Sequence, residues 1–347
     1  MSKRSNISEN ISNTSNKRQR IFSYNDNSQY AVIAKKNIKR LPYQNFHTVY
    51  VKRKLLNMVA LRSFDPDRGS GYLIDFGVCR GGDLNRWKEI GFKKVIGIDI
   101  DIKCIKEAID RHQNAPDNNY DITFLHGDLS KPIFPNQKES YELKEKSIGV
   151  VNCKNLMEKT LPQKYIFDVV SSQFVIHYFF LNELSLRTYL QNVTDNLKIG
   201  GYFVGTTFDG SKVYDFLKRK TYIDGKKKDD TIWKITKLYG EDKFVDGNPN
   251  WGMAIDVFVN TIGFSHKEYL VSFKYLKKIA AEYGLVLQTL ISFSDMWVEC
   301  LKNKEGYDYK FIKNISSMSY AEKTFSFLFK GFIFKKVKNI PDEHLNE

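Results

Sequence analysis

Residues 73–83 read LIDFGVCRGGD. A short apolar run, Leu73 to Phe76, is closed by Gly77. Gly81 and Gly82 follow before GDLNRWKEIG (82–91) takes up helical spacing, with Gly91 as its stop. A strand that turns on glycines into a helix is half of an α/β unit, and the alternation continues downstream. KKVIGIDID (93–101) reads as a second buried strand and IKCIKEAIDRHQ (102–113) as a helix. DITFLHGD (121–128) and YIFDVVSSQF (165–174) are a third and a fourth strand. LSLRTYLQNVTDNLKIGG (184–201) reads as a helix ended by its glycine pair, and GYFVGTTF (201–208) as a fifth strand. Short strands alternating with helices predict a parallel, doubly wound sheet with helices on both faces.

After about residue 220 the rhythm breaks. TIWKITKLYG (231–240) and MAIDVFVNTIG (253–263) alternate like paired strands, which predicts an insertion of antiparallel hairpins over 220–267. VSFKYLKKIAAEYG (271–284) is an amphipathic helix, LVLQTLISF (285–293) a strand, and FSFLFKGFIFKK (325–336) a last, aromatic strand. A polar excursion at 130–155 follows the third strand, and no internal repeat is present.

The composition bounds the partners. Hydrophobic residues make up 42% of 347, enough for one elaborated α/β domain with a real core. Lys plus Arg number 54 against 40 Asp plus Glu, and a net +14 favours a polyanion, nucleic acid first. Residues 1–40 hold nine basic and two acidic side chains, +7 or half the surplus, in a Ser- and Asn-rich context. That stretch is expected to be a disordered basic arm, with the folded domain over 41–337 and a tail at 338–347. Four cysteines (Cys79, Cys104, Cys153, Cys300) without a CxxC pair imply a reducing compartment and no structural zinc, and six scattered histidines imply no metal site. No apolar run approaches the roughly 18 residues of a membrane span, and the N-terminus lacks a signal-peptide core, so a soluble intracellular protein is expected.

In an open α/β sheet, ligands bind at the carboxyl ends of strands. Gly77 permits close backbone approach there, and Asp99, at the end of the next strand, stands where a carboxylate bonds ribose hydroxyls. A pyrophosphate wants a free helix N-terminus. Here Asp75 and Asp83 flank the loop instead, which suits the cationic amine and sulfonium of S-adenosylmethionine. A second strand end is equally odd: SSQFVIHYFF (171–180) spends Gln173, His177 and Tyr178 where a core wants Val and Ile.

Together DFGVCRGGDLNRW, VIGIDI, FDVVSSQFVIHYFF, NLKIGGYFVGTTFDG, KEYLVSF and FSFLFKGFIFKK resemble the mRNA cap (guanine-N7) methyltransferase family, in the right order over roughly residues 43–337. SSQFxxHY followed by GGYFxGTT is the most specific element, and TTFDG is similar to the large-DNA-virus branch. The resemblance implies a class I, Rossmann-like methyltransferase with a mostly parallel seven-stranded sheet. It implies that Lys52 meets the methionine carboxylate of the donor, that Asp75, Gly77, Asp83 and Gln173 line its methionine part, that Asp99 takes the ribose, and that Asp128 takes the adenine amino group. Phe174, His177, Tyr178, Glu268 and Phe329 would form the cap guanine site. Three positions depart from the family pattern: Cys79 replaces a glycine, Val49 an asparagine (Asn45 lies nearby), and Ser130 a tyrosine.

Guanine N7 has an available lone pair, so the chemistry needs orientation and exclusion of water, not a general base. His177 could then donate to guanine O6 while Glu268 accepts from the N1 and N2 hydrogens. Taken alone, Glu268 reads as a capping acid at a helix entry, and Phe329 as core. The implied partners are 5′-capped RNA and the triphosphatase and guanylyltransferase of a capping apparatus, in the nucleus or a viral factory. The alternatives are another S-adenosylmethionine-dependent RNA base methyltransferase, or an inactive, donor-binding stimulatory subunit.

Overall fold

A computed structural model describes residues 40–64, 71–116, 119–133 and 167–339. Apart from Arg40, the predicted N-terminal arm lies outside the described residues, as do most of the 130–155 excursion and most of the 338–347 tail.

The apolar runs form the strands their composition demands. β1 (Gly71–Phe76), β2 (Phe92–Asp99), β3 (Asp121–His126), β4 (Phe167–Gln173), β5 (Leu197–Phe208), β10 (Leu285–Ser292) and β11 (Phe329–Lys336) make one sheet in the order β10-β11-β5-β4-β1-β2-β3. β1 to β5 run parallel, and β11 lies antiparallel to both β5 and β10. Side chains alternate across the sheet and feed two cores. Leu73, Val95, Val169 and Val204 face one, and Ile74, Ile96, Val170 and Phe203 face the other. Helices over 102–113, 183–196 and 273–282 present apolar faces to this sheet, as their amphipathic spacing requires.

The insertion is a second sheet of four antiparallel strands, β6 (Tyr222–Lys227), β7 (Asp230–Lys237), β8 (Ala254–Val259) and β9 (Ser265–Tyr269), in that order. It extends two residues past the predicted limit, and Glu268 falls inside β9. The expectation of a helix entry at Glu268 is therefore corrected. The helix starts at Phe273, where the Ser272 side chain accepts from the Tyr275 amide.

Two other boundaries moved. The helix predicted to run to the Gly200–Gly201 pair ends at Asn196, because Leu197 already pairs with Phe167 of β4. Its C-terminus is satisfied by a lysine instead of a glycine: buried Lys336 donates to the carbonyls of Thr194 (2.7 Å) and Leu197 (2.9 Å). The aromatic strand predicted from residue 325 begins at Phe329, since Tyr320–Ser326 is helical. A capping box between Ser319 and Glu322 fixes that helix's start and outweighs the β-propensity of its phenylalanines.

Upstream of β1 the chain is helical from Pro42, passes through a π-helical turn (Phe46–Val51) and continues as the helix Lys52–Ser63. Such turns carry a residue's worth of extra backbone and recur at functional sites.

Candidate functional site

β1 lies between β4 and β2, so the chain winds outward from it in both directions, and the carboxyl ends of β1 and β4 border the switch-point crevice. The loop after β1 is tied to β2 by the amides of Gly77 and Val78, which both donate to the Ile98 carbonyl (2.8 and 3.0 Å). Gly77 has φ +81°, and a Cβ there would lie 2.3 Å from Val175 Cγ2, so the turn requires glycine twice over. Cys79 takes φ +47°, and its amide donates to Asp99 Oδ2 at 2.7 Å; Asp99 Oδ1 accepts from the Asp101 amide at 2.9 Å. Burial pushes the Asp99 carboxyl up to about 6 against the pull of those two amides.

Charges gather at the mouth of this loop. Asp75, opposite Ser171 in β4, is 3% exposed and its Oδ1 has no hydrogen-bond partner. Burial raises it to about 6, opposed by the Ser171 hydroxyl and by Lys52. Lys52 Nζ pairs with Asp83 Oδ2 at 2.8 Å, and Arg86 pairs with the other Asp83 oxygen. Burial, with Arg86 beside it, lowers Lys52 to about 8. Of the two carboxylates read from the sequence, Asp83 takes both cations and Asp75 pairs with neither. Arg86, which also donates to the Thr48 carbonyl, escaped the sequence reading although its i,i+3 spacing from Asp83 marks a partner.

Two donor-side candidates flank this group. Gln173 ends β4 at 7% exposure, and its Oε1 accepts from the Thr206 hydroxyl (3.3 Å). Asp128 follows β3, beside the strand that ends in Asp99. Its Oδ1 accepts from the amide (2.9 Å) and hydroxyl (2.6 Å) of Ser130, the residue that stands in for a tyrosine. Asn45 is turned away: its amide nitrogen donates to Asn314 Oδ1 at 2.9 Å, so it does not compensate for Val49 at the cleft.

The opposite wall belongs to both sheets. After β4 the chain enters a 3-10 helix (Ile176–Leu181) that buries His177 to 2% exposure. Its Nε2 faces Glu268 Oε2 of β9 across 3.5 Å, while Nδ1 lies 3.3 Å from the Thr207 hydroxyl. Neither the His177 Nε2 nor the Glu268 Oε2 has a hydrogen-bond partner, an expensive state for buried polar atoms. Burial lowers His177 to about 3, with His266 adding to the effect, and raises Glu268 to about 8, with Asp256 adding to it. Both groups are neutral at pH 7. The Tyr178 ring sits 4.3 Å from that of His177. His266 shares the buried face of β9 with Glu268, and the sequence reading missed it because HKE (266–268) gives only one period of strand alternation.

Phe174 and Phe329 come together, but in a different cluster. Phe174 has φ +63°, which re-aims the chain at the end of β4, and its ring lies 5.3 Å from Phe329 and 5.6 Å from His47. Phe329 stacks on Phe208 at 3.9 Å and is 5% exposed. Lys52 Nζ lies 5.6 Å from the Phe174 ring centre, so this cluster borders the charged group.

A family model described as the mRNA (guanine-N(7))-methyltransferase domain matches residues 7–337. The mRNA cap guanine-N(7) methyltransferase of Candida albicans is 30% identical over 291 residues, 76% of this chain and 57% of its own length. That of Saccharomyces cerevisiae is 27% identical over 262 residues, 72% and 56% of the two chains. A "Probable mRNA-capping enzyme" of Acanthamoeba polyphaga mimivirus is 28% identical over 312 residues, 81% of this chain and 26% of that protein. The chain therefore spans about half the length of the yeast relatives and a quarter of the viral one. Among solved structures, the CcbJ methyltransferase from Streptomyces caelestis superposes with a TM-score of 0.52 at 13% identity, covering 90% of this chain and 97% of its own, a likeness of fold. On the family match over nearly all of its length, this chain belongs to the mRNA (guanine-N7) methyltransferase family.

Proposed function

We propose that the chain methylates N7 of the guanine of a 5′ RNA cap, using S-adenosylmethionine as donor. The observation that carries this reading is the buried pair His177 and Glu268, two orphaned polar edges 3.5 Å apart beside a donor-type loop. Such a pair is costly unless a ligand with complementary hydrogen-bond groups satisfies it.

The residues at the first wall fit the donor. Asp99 is held by backbone amides on one lone pair of each oxygen, which leaves the others for ribose hydroxyls. The unpartnered Asp75 Oδ1 suits an ammonium, Gly77 keeps the loop backbone close, and Lys52 and Asp83 offer a cation and an anion to the methionine end. Gln173 lies at the same mouth, and Asp128 at the adenine end. When bound, the donor supplies a methyl group on a cationic sulfur.

At the second wall, we assign the His177 proton to Nε2, where it donates to guanine O6, with Nδ1 accepting from the Thr207 hydroxyl 3.3 Å away. Glu268 accepts from N1–H and N2–H. Because those two donors favour the carboxylate, guanine binding draws the proton off a group that otherwise holds it up to about pH 8. Tyr178 closes one side of the ring, and Phe174 with Phe329 backs the seam. N7 needs no deprotonation, so the protein's work is alignment, worth up to about 7–11 kcal/mol in favourable cases. A base with the wrong edge leaves His177 and Glu268 unpaired, which is a strong basis for rejection.

The test is to incubate GpppA-capped RNA, uncapped RNA and tRNA with labelled donor and map the methylated atom. Label on cap N7 alone is expected. Label on an internal base identifies a different RNA methyltransferase, and donor binding without transfer identifies a stimulatory subunit. The basic arm and any companion triphosphatase or guanylyltransferase belong to the same proposal, through RNA phosphates.

A further inference from the structure

We propose that Cys79 and Cys104 are an oxidisable dithiol, a covalent modification site that can clamp the donor loop to the helix following β2. Their sulfurs lie 3.4 Å apart although the residues are 25 positions apart in sequence. Cys79 is partly exposed on the loop after β1, and Cys104 is buried in the first turn of the helix Ile102–Gln113. Cys79 sits at φ +47°, a conformation suited to glycine, so this loop accepts backbone strain in order to carry a thiol. Its own amide is the one clasped by Asp99, and the amide of Cys104 is held by the Asp101 cap at 3.3 Å. The dithiol thus bridges the loop after β1 and the helix after β2.

The chemistry requires a hydroperoxide. The Cys79 sulfur takes one oxygen as the O–O bond breaks, giving a sulfenic acid and, from hydrogen peroxide, one water. The Cys104 sulfur then attacks the Cys79 sulfur: the S–S bond forms, the S–O bond breaks, and the hydroxyl leaves with the Cys104 proton as a second water. A dithiol reductant reverses the process by exchange. A disulfide bond of about 2.05 Å draws the sulfurs together by about 1.4 Å from their 3.4 Å separation. That movement pulls on the loop whose amide engages Asp99. The effect on the donor rests on the reading of this cleft as the donor site; bond formation does not.

The experiment uses the full chain, reduced, then treated with hydrogen peroxide, then re-reduced with dithiothreitol. Intact mass and peptide mapping report the bond, and calorimetry with S-adenosylhomocysteine reports the site. Expected are a loss of two hydrogens, a Cys79–Cys104 linked peptide, affinity weaker by about tenfold, and recovery on reduction. Cys104→Ala should bind as the reduced chain does and, with peroxide, should add oxygen at Cys79 without forming a linked peptide. No linked peptide, or a link from Cys79 to Cys153 or Cys300, overturns the dithiol; a linked chain with unchanged affinity overturns the clamp. Absence of binding by the reduced chain instead refutes the donor reading, while the mass shift still decides the bond.

Discussion

His177 on the 3-10 helix that follows β4 and Glu268 on β9 of the inserted sheet face each other across 3.5 Å. Their juxtaposition exists only because β9 of the four-stranded insertion packs against the 3-10 helix. His177→Ala and Glu268→Ala should therefore each cut cap methylation by about tenfold or more, from about 1–3 kcal/mol per unpaired group. Affinity for S-adenosylhomocysteine should change little. Methyl-transfer kinetics beside calorimetry separate the two; a His177→Ala chain with normal transfer but weak donor binding would put the residue on the wrong wall.

Glu268 gives the site a pH signature. In the folded chain it holds its proton up to about 8, whereas its ordinary value is 4.5. The folded state therefore binds the extra proton, and this group's contribution is fully present below the unfolded value and lost as pH rises through about 8. Glu268→Gln, which cannot ionise, should raise the melting temperature relative to the native chain at high pH, and much less in mild acid. Thermal melts across that range check it. His177, lowered from 6.5 to about 3, works in the opposite sense: the unfolded chain takes up its proton first, so this group costs stability as pH falls from about 6.5 toward 3, in the native and Glu268→Gln chains alike.

Cap affinity should follow the same proton. If guanine binding removes it, KM for capped RNA should fall as pH approaches 8 from below and level off above. A KM that is flat with pH would mean that Glu268 binds guanine without losing its proton.

Asp99→Ala should weaken S-adenosylhomocysteine binding by about ten- to a hundredfold, the loss of charge-assisted hydrogen bonds. The same change frees the amides of Cys79 and Asp101. Asp99→Asn, which can still accept from them, should fold as the native chain does and lose less affinity. An unaltered dissociation constant in Asp99→Ala would remove this residue from the ribose site.

Gly77→Ala should destabilise the chain by about 1–3 kcal/mol, through left-handed strain and overpacking. Its Cβ would meet Val175 Cγ2 at 2.3 Å. Adding Val175→Ala should recover the packing part only, since φ +81° remains. Denaturant midpoints of the two variants separate these costs.

The parallel sheet was legible because its strands are apolar runs alternating with amphipathic helices, and Asp99 and His177 announced themselves as polar groups at or just past the ends of such runs. Local patterns failed where a distant residue decides. Leu197 becomes strand through β4, and Lys336 ends the helix before it from the far end of the chain. Glu268 looked like a cap because a strand of five residues, SHKEY, carries too little alternation to outweigh the helix beyond it. Phe174 was read in one site with His177 and Phe329; its positive φ sets its ring 5.3 Å from Phe329 and 5.6 Å from His47. Periodicity cannot foresee such a turn.

β11 lies between β5 and β10, and among the described residues β10 has no other neighbour in the sheet. During synthesis, the half of the sheet from β1 to β5 can assemble as it emerges, but β5 keeps an open edge until residues 329–336 leave the ribosome. Exposed edges of that kind recruit other chains, and pairings this distant form slowly. The four-stranded insertion and the helices over 293–302 and 309–316 are made in that interval. A ribosome stalled between residues 208 and 329 should thus hold a sticky, half-built sheet that a strand-capturing chaperone would bind, and release at residue 336 should end that capture.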